Sequence, residues 1–186
     1  VIAKPAEQTP LVARLACDVL NEAGVPKGVL NLVNGDGPTL GGWLLPDERI
    51  AGVSFTGSHP SARVINRQLA LRDGPIIPLI AETGGINCMV VDSTALPEQV
   101  VDDVITSAFR SAGQRCSALR VLFVQSDVAD GIIELLAGAM KELVVGDPHK
   151  LSTDVGPVID QAAHDRISAH LMHLKETATF IAKSPS

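Results

Sequence analysis

Apolar positions in the first half of the chain switch between two rhythms. Leu11, Val12, Leu15, Ala16, Val19, Leu20 and Ala23 recur at helical spacing and build one apolar face. Thr9 stands where an N-cap belongs, Pro10 at the first helical position, and Gly24 where a left-handed C-cap glycine belongs. Shorter runs read as strands: Val1–Lys4 is a strand end and Val29–Val33 a second, mostly apolar strand. Asn34-Gly35-Asp36-Gly37 is a turn, and a short helix over roughly Thr39–Leu45 stops at Pro46. Gly52–Thr56 is a third strand that runs into Gly57-Ser58, where a helix opens with Pro60 in its first turn.

The second half repeats this style with new content. Ile76–Ala81 and Cys88–Val91 are strand-like. The spacing predicts an amphipathic helix over Pro97–Ala112, with Val100, Val101, Val104, Ile105, Ala108 and Phe109 on one face and Gly113 ending it. Arg120–Val124 reads as a strand, Ser126 as the cap of a helix to about Val144, residues 145–148 as a loop, and Asp160–Thr177 as a last helix. Strand and helix alternating in this way imply an α/β fold with parallel, doubly wound sheets, whose ligands sit at the carboxyl ends of strands. A seam near Pro75–Glu82 is the candidate domain boundary.

Composition narrows the class. At 186 residues, 46% hydrophobic and 19% charged, the chain is long enough for a buried core and too apolar for disorder. No apolar run reaches the ~18–20 residues that span a bilayer. The opening VIAKPAEQTP has neither the basic region nor the apolar stretch of a signal peptide. A net charge of −6, aromatics at 3% and no Tyr argue against a nucleic-acid surface. Three cysteines, Cys17, Cys88 and Cys116, form no CxxC pair; they suit free thiols in a reducing compartment and give no zinc spacing.

Several residues could carry chemistry. Cys116 lies in SAGQRCSALR, between a helix end and a strand, where a scaffold can present a reactive group. Arg115 precedes it, and a nearby cation favours the thiolate. A single Cys is more often a small buried hydrophobe, and Cys17 and Cys88 take that reading. Glu82 follows an apolar run and precedes paired glycines, a setting for a general base and equally for a solvated strand-end acid. Gly57-Ser58 opens a helix, whose free N–H groups and dipole favour an anion such as phosphate. Lys4 and Glu7 flank Pro5-Ala6 at a strand end; they could meet ribose hydroxyls or simply pair with each other. His170 and His173 share a helix without the HExxH pattern of a metal site.

Together, KPAEQTP, EAGVPKGVLNLVNGDG, VSFTGS, ETGG, SAGQRCSALR and VGDP…TDVGPVID occur in an order that resembles the aldehyde dehydrogenase superfamily along nearly the whole chain. The 34 residues separating Glu82 from Cys116 agree with it. IPLIAETGGINCMVVDSTALPEQVVDDVITSAFRSAGQRCSALRVL resembles one subgroup, the L-glutamate γ-semialdehyde dehydrogenase domains of bifunctional proline-utilisation proteins.

The resemblance implies part of an NAD-binding domain over residues 1–81 and part of a catalytic thiol domain over 82–186. By position it makes Cys116 the nucleophile and Glu82 the general base. It puts Lys4 and Glu7 on the adenosine ribose, and Gly35 on the adenine side. Gly57 and Ser58 go to the pyrophosphate, with Phe55, Thr56 and Gly84 also on the cofactor side, and Arg115 and Ser117 go to the substrate. It implies NAD, with NADP possible, and FAD only in a proline dehydrogenase domain outside this chain. It further implies a small aldehyde substrate, a homo-oligomeric parent and a cytoplasmic location. Where the family often has a second glycine after the one matching Gly57, this chain has Ala62. The family's oxyanion-hole asparagine lies upstream of KPAE, and a further ribose-binding glutamate lies beyond the last residue, so the expectation is that these 186 residues alone are inactive. Two alternatives stand beside this reading: a relative acting on another semialdehyde, and a non-catalytic nucleotide-binding module.

Overall fold

A computed structural model describes residues 1–185. Every strand pair in the described residues is parallel, with a helix between its members, as the alternating pattern implies. The chain divides into two units, Val1–Gly84 and Gly85–Ser186, a division three residues beyond the boundary drawn from sequence.

In the first unit, β1 (Ile2–Ala3) pairs with β2 (Asn31–Leu32) across α1 (Pro10–Glu22). After α2 (Gly37–Leu44), β3 (Val53–Thr56) pairs with β4 (Leu79–Glu82) across α3 (His59–Ala70). The caps follow the sequence. Asp36 accepts from the Thr39 N–H at 2.9 Å, starting α2 earlier than the apolar spacing suggests, and Ser58 accepts from the Ser61 N–H at 3.2 Å. Thr9 occupies the N-cap of α1 without a side-chain bond, and Gly24 takes a φ of +99° just after the helix. The apolar face of α1 forms as expected, yet the described residues leave it open: Leu11 is 82% exposed and Leu15 64%.

Both strand pairs present an unpaired edge. The carbonyls of Val1 and Ala3 accept from β2, so the main-chain groups of Ile2 point the other way. In β3, Val53 and Gly57 donate towards β4, so those of Ser54 point away from it. Ile2 and Ser54 line one cavity of about 1130 Å³, bounded by β1–β2 and β3–β4.

In the second unit, β5 (Asn87–Val91) pairs with β6 (Leu119–Val124), and α5 (Ser126–Glu142) and α6 (Gln161–Thr177) follow. Val91, Val100, Val104, Leu119 and Ile132 form a buried core, with Leu122, Val124 and Phe109 packed against it. Asn87 sits opposite Leu119 but Cys88 opposite Val121, so Arg120 is an extra residue bulged out of the ladder.

The long helix expected over residues 97–112 is not continuous. An α-helix, α4 (Pro97–Val104), gives way to a π-turn at Ile105–Phe109 and then a 3₁₀ turn at Arg110–Gly113. Ser111, Ala112 and Gly113 all adopt left-handed backbone, with φ of 56°, 51° and 65°. Distant groups hold this break: Arg115 donates to the Thr106 carbonyl at 2.8 Å, and the Leu119 N–H donates to Ser107 Oγ at 3.2 Å. Gly113 is required there, because a Cβ would lie 2.8 Å from the Ala108 carbonyl oxygen. Ser126 is the first helical residue of α5 rather than its cap; Gln125 takes the cap position, its main-chain N–H donating to the Val91 carbonyl at 2.9 Å.

Candidate active site

The sequence-derived candidates form three clusters, two in the first unit and one in the second. At the carboxyl end of β1, Lys4 Nζ donates to Glu7 Oε1 at 3.1 Å and to the Pro5 carbonyl at 2.8 Å. The same Glu7 oxygen accepts from the Gly37 N–H at 2.8 Å, drawing the Asn34–Gly37 turn towards Lys4. Lys4 first, and the Gly37 N–H second, hold the Glu7 carboxyl below its ordinary pKa. Gly35 lies in that turn, and a Cβ there would come 3.0 Å from the Leu40 side chain.

The second cluster joins the ends of β3 and β4. Thr56 stands opposite Glu82, and the Gly57 N–H donates to the Glu82 carbonyl at 3.1 Å. The anion-binding candidate and the general-base candidate are therefore tied together through main chain. Gly57 has a steric reason: a Cβ would sit 2.6 Å from the Phe55 ring. Ser58 caps α3, a twelve-residue helix whose first turn can meet a negative group. Ala62, standing where the family often has glycine, is buried in that helix. The Glu82 side chain is exposed, and Gly84 follows at the end of the unit with nothing near its Cα to crowd a side chain.

The third cluster is the turn carrying Cys116. The thiol is free and exposed. Cys17 and Cys88 are free as well, and Cys88, expected to be buried in its strand, is exposed. Arg115 has one guanidinium nitrogen on the carbonyls of Thr106 (2.8 Å) and Ser107 (3.4 Å), so it braces the preceding break. Ser117 is exposed beside the sulfur, while Ala118 is fully buried and anchors the turn.

Two residues that the sequence patterns pass over grip this turn. Asn87 Nδ2 donates to the Cys116 carbonyl at 2.7 Å and the Ala118 carbonyl at 2.9 Å. The bulged Arg120 donates through Nη2 to the carbonyls of Gly113 at 2.7 Å and Arg115 at 3.3 Å. One local signal exists for the first of them, since Asn is depleted from strands and here it opens one.

The donor set suits a dinucleotide: an acid and a cation at one strand end, and a capped helix N-terminus after a glycine at another. No group of three or more His, Cys, Asp or Glu among the described residues could hold a metal ion. No helix among them is long and apolar enough to cross a membrane.

Known proteins give these clusters a common context. The chain is 54% identical over 178 residues to the bifunctional protein PutA of Klebsiella aerogenes, covering 94% of this chain and 14% of that protein. It is 39% identical over 185 residues to a 1-pyrroline-5-carboxylate dehydrogenase of Bacillus cereus strain B4264, covering 98% of this chain and 36% of the relative. Among solved structures, a bifunctional proline utilization A protein superposes with a TM-score of 0.95 at 61% identity, over 100% of this chain and 19% of the other. The Δ-pyrroline-5-carboxylate dehydrogenase of Mycobacterium tuberculosis does so at 0.88 and 34% identity, over 95% and 33%. The chain thus spans 14% to 36% of the length of these curated relatives. The family model described as "Aldehyde dehydrogenase family" matches residues 1–183, taking in all three clusters, and the chain belongs to that family.

Proposed function

We propose that this chain is part of an NAD-dependent enzyme that oxidises L-glutamate γ-semialdehyde to L-glutamate in proline catabolism. The observation that carries the reading is the setting of Cys116: a free, exposed thiol on a turn whose main chain is held by side chains from both strands beneath it. The names of the relatives, PutA and 1-pyrroline-5-carboxylate dehydrogenase, support the choice of aldehyde.

In this reading residues 1–81 are the cofactor side and residues 82–186 the thiol side. Lys4 and Glu7 hold the adenosine ribose, and Gly35 lines the adenine. Gly57 and Ser58 take the pyrophosphate, with Phe55, Thr56 and Gly84 beside it. The nicotinamide cofactor, when bound, supplies the acceptor for a hydride.

The Cys116 sulfur, as thiolate, adds to the aldehyde carbon and gives a thiohemiacetal oxyanion. Loss of hydride from that carbon leaves a thioester on Cys116. Glu82 takes a proton from water, whose oxygen attacks the thioester carbonyl; the C–S bond breaks, the acid leaves and the thiolate returns. Ser117 and the rest of the Arg115 guanidinium seat the substrate carboxylate. The parent polypeptide is longer than these 186 residues and works as a homo-oligomer.

The test uses the full-length parent. Cys116→Ala abolishes NAD-dependent oxidation, and Glu82→Gln leaves a slow enzyme in which acylated Cys116 accumulates, seen by intact-protein mass spectrometry. Glutamate semialdehyde is oxidised with a higher kcat/KM than simple aliphatic aldehydes. Equal rates on both would overturn the substrate assignment, and full activity of Cys116→Ala would overturn the mechanism. These 186 residues alone show no turnover; robust activity would contradict the expectation that other parts of the parent complete the site.

A further inference from the structure

We infer that Asn87 and Arg120 are positioning residues that aim the two peptide planes flanking Cys116, and so set the direction of the Cys116 N–H and the stance of its sulfur. The inference rests on the reading of Cys116 as the nucleophile.

The peptide before the sulfur is fixed through its carbonyl. Arg115 O accepts from the Ala118 N–H at 3.1 Å and from Arg120 Nη2 at 3.3 Å. The described residues contain no cis peptide bond. In a trans peptide the N–H points opposite to the carbonyl. With the carbonyl drawn towards Ala118 and Arg120, the Cys116 N–H is turned to the other side. That leaves it aimed away from the turn, where an oxyanion formed on the sulfur's addition product can use it.

The peptide after the sulfur is fixed in the same way by Asn87. Its single NH₂ group spends one hydrogen on the Cys116 carbonyl, at 2.7 Å, and the other on Ala118, at 2.9 Å. Beyond Ala118 the Leu119 N–H is taken by Ser107 Oγ at 3.2 Å. Every carbonyl from Arg115 to Ala118 except that of Ser117 thus has a named donor.

An independent feature points to the same pair. The β5–β6 ladder breaks its register between Asn87 and Cys88, and the extra residue on the other strand is Arg120. A bulge beside a functional loop re-aims a side chain. Here it directs the guanidinium back over the turn onto Gly113 and Arg115, with Nη1 passing 3.3 Å from where a Gly113 Cβ would stand. Both gripping residues therefore lie at the one irregular step of this sheet.

The test compares Asn87→Leu and Arg120→Lys with Cys116→Ser in the full-length enzyme. Leucine keeps the branched outline of asparagine without its donors, and lysine keeps the charge of arginine on a shorter side chain that has no Nη2. Misplacing a reacting group by about 1 Å can cost about 10²-fold. Each positioning variant should lose about 10²-fold in kcat, while KM for the cofactor moves by less than about threefold. Alkylation of Cys116 by iodoacetamide should slow in protein whose thermal unfolding is unchanged. A role in folding alone would lower the unfolding temperature and leave kcat per folded site intact, and that result overturns the inference. If Asn87→Leu does not yield folded enzyme, Arg120→Lys carries the same measurements and decides alone. Inactive Cys116→Ser beside fully active positioning variants sinks this inference only; active Cys116→Ser sinks the nucleophile reading beneath it.

Discussion

The two units use apolar residues in opposite ways. In the second, Val91, Val100, Val104, Leu119 and Ile132 close on one another, and Ile132 is only 2% exposed. In the first, α1 has no buried residue and keeps Leu11 and Leu15 open, and two strand pairs of two and four residues leave unpaired edges around a cavity. The Cys116 turn is built on the closed unit. In the proposed reading Cys116 is a nucleophile, which must be held within a fraction of an ångström, and a packed support with a polar clamp suits that task.

The contrast can be broken most directly by truncation. Ile132→Ala should destabilise the chain by about 2–5 kcal/mol, as a buried large-to-small change does, whereas Leu15→Ala should stay within about 0.5 kcal/mol. Urea unfolding followed by circular dichroism measures both, and equal losses would erase the distinction. A smaller effect separates two left-handed glycines. Gly113→Ala meets the Ala108 carbonyl oxygen at 2.8 Å and should cost about 1–3 kcal/mol, while Gly24→Ala has open space and carries backbone strain alone, so its cost should be lower. Amide exchange sharpens the comparison further: the β5–β6 amides should be protected longest and those of the two-residue β1–β2 pair least.

The smallest expected effect is electrostatic. Glu7 has a folded pKa below its ordinary value, so its contacts with Lys4 and Gly37 are complete above pH about 4.3 and are lost as pH falls through the lowered value. Exchange of the Gly37 amide should accelerate over that acid window relative to neighbouring amides. In Glu7→Gln the extra acceleration should vanish. A wild-type amide that showed no such step would mean that the carboxylate does not hold the turn.

Local patterns made α1, α3 and the Cys116 turn legible, because each is written in neighbours. Helical spacing runs from Leu11 to Ala23, Ser58 and Pro60 announce a helix start, and Cys116 falls between a helix end and a strand. The break after Val104 was not legible. Ile105, Ala108 and Phe109 continue the same apolar period, while the bonds that open the helix come from Arg115 and Leu119. Val29–Val33 reads as a five-residue strand, yet only Asn31 and Leu32 pair in register with β1, since strand length is set by the neighbour's reach. The grip of Asn87 was hidden for a similar reason: it acts on residues 29 and 31 positions away, across a parallel pairing that no local window contains.

The extra residue in β6 also settles how this strand tolerates change. Leu119 is buried in the core, and Leu122 and Val124 pack against it, although in a regular strand residues three apart face opposite sides. The bulge at Arg120 resets the alternation, so all three reach the same interior. Deleting that one residue would place Leu119 and Leu122 two apart, on the same side of a regular ladder, so the interior would keep its three side chains and the Arg120 guanidinium over the turn would be lost. A one-residue deletion at Arg120 should therefore spare the packing of this strand and remove the hold on Gly113 and Arg115, so what the irregularity preserves is the turn and not the core.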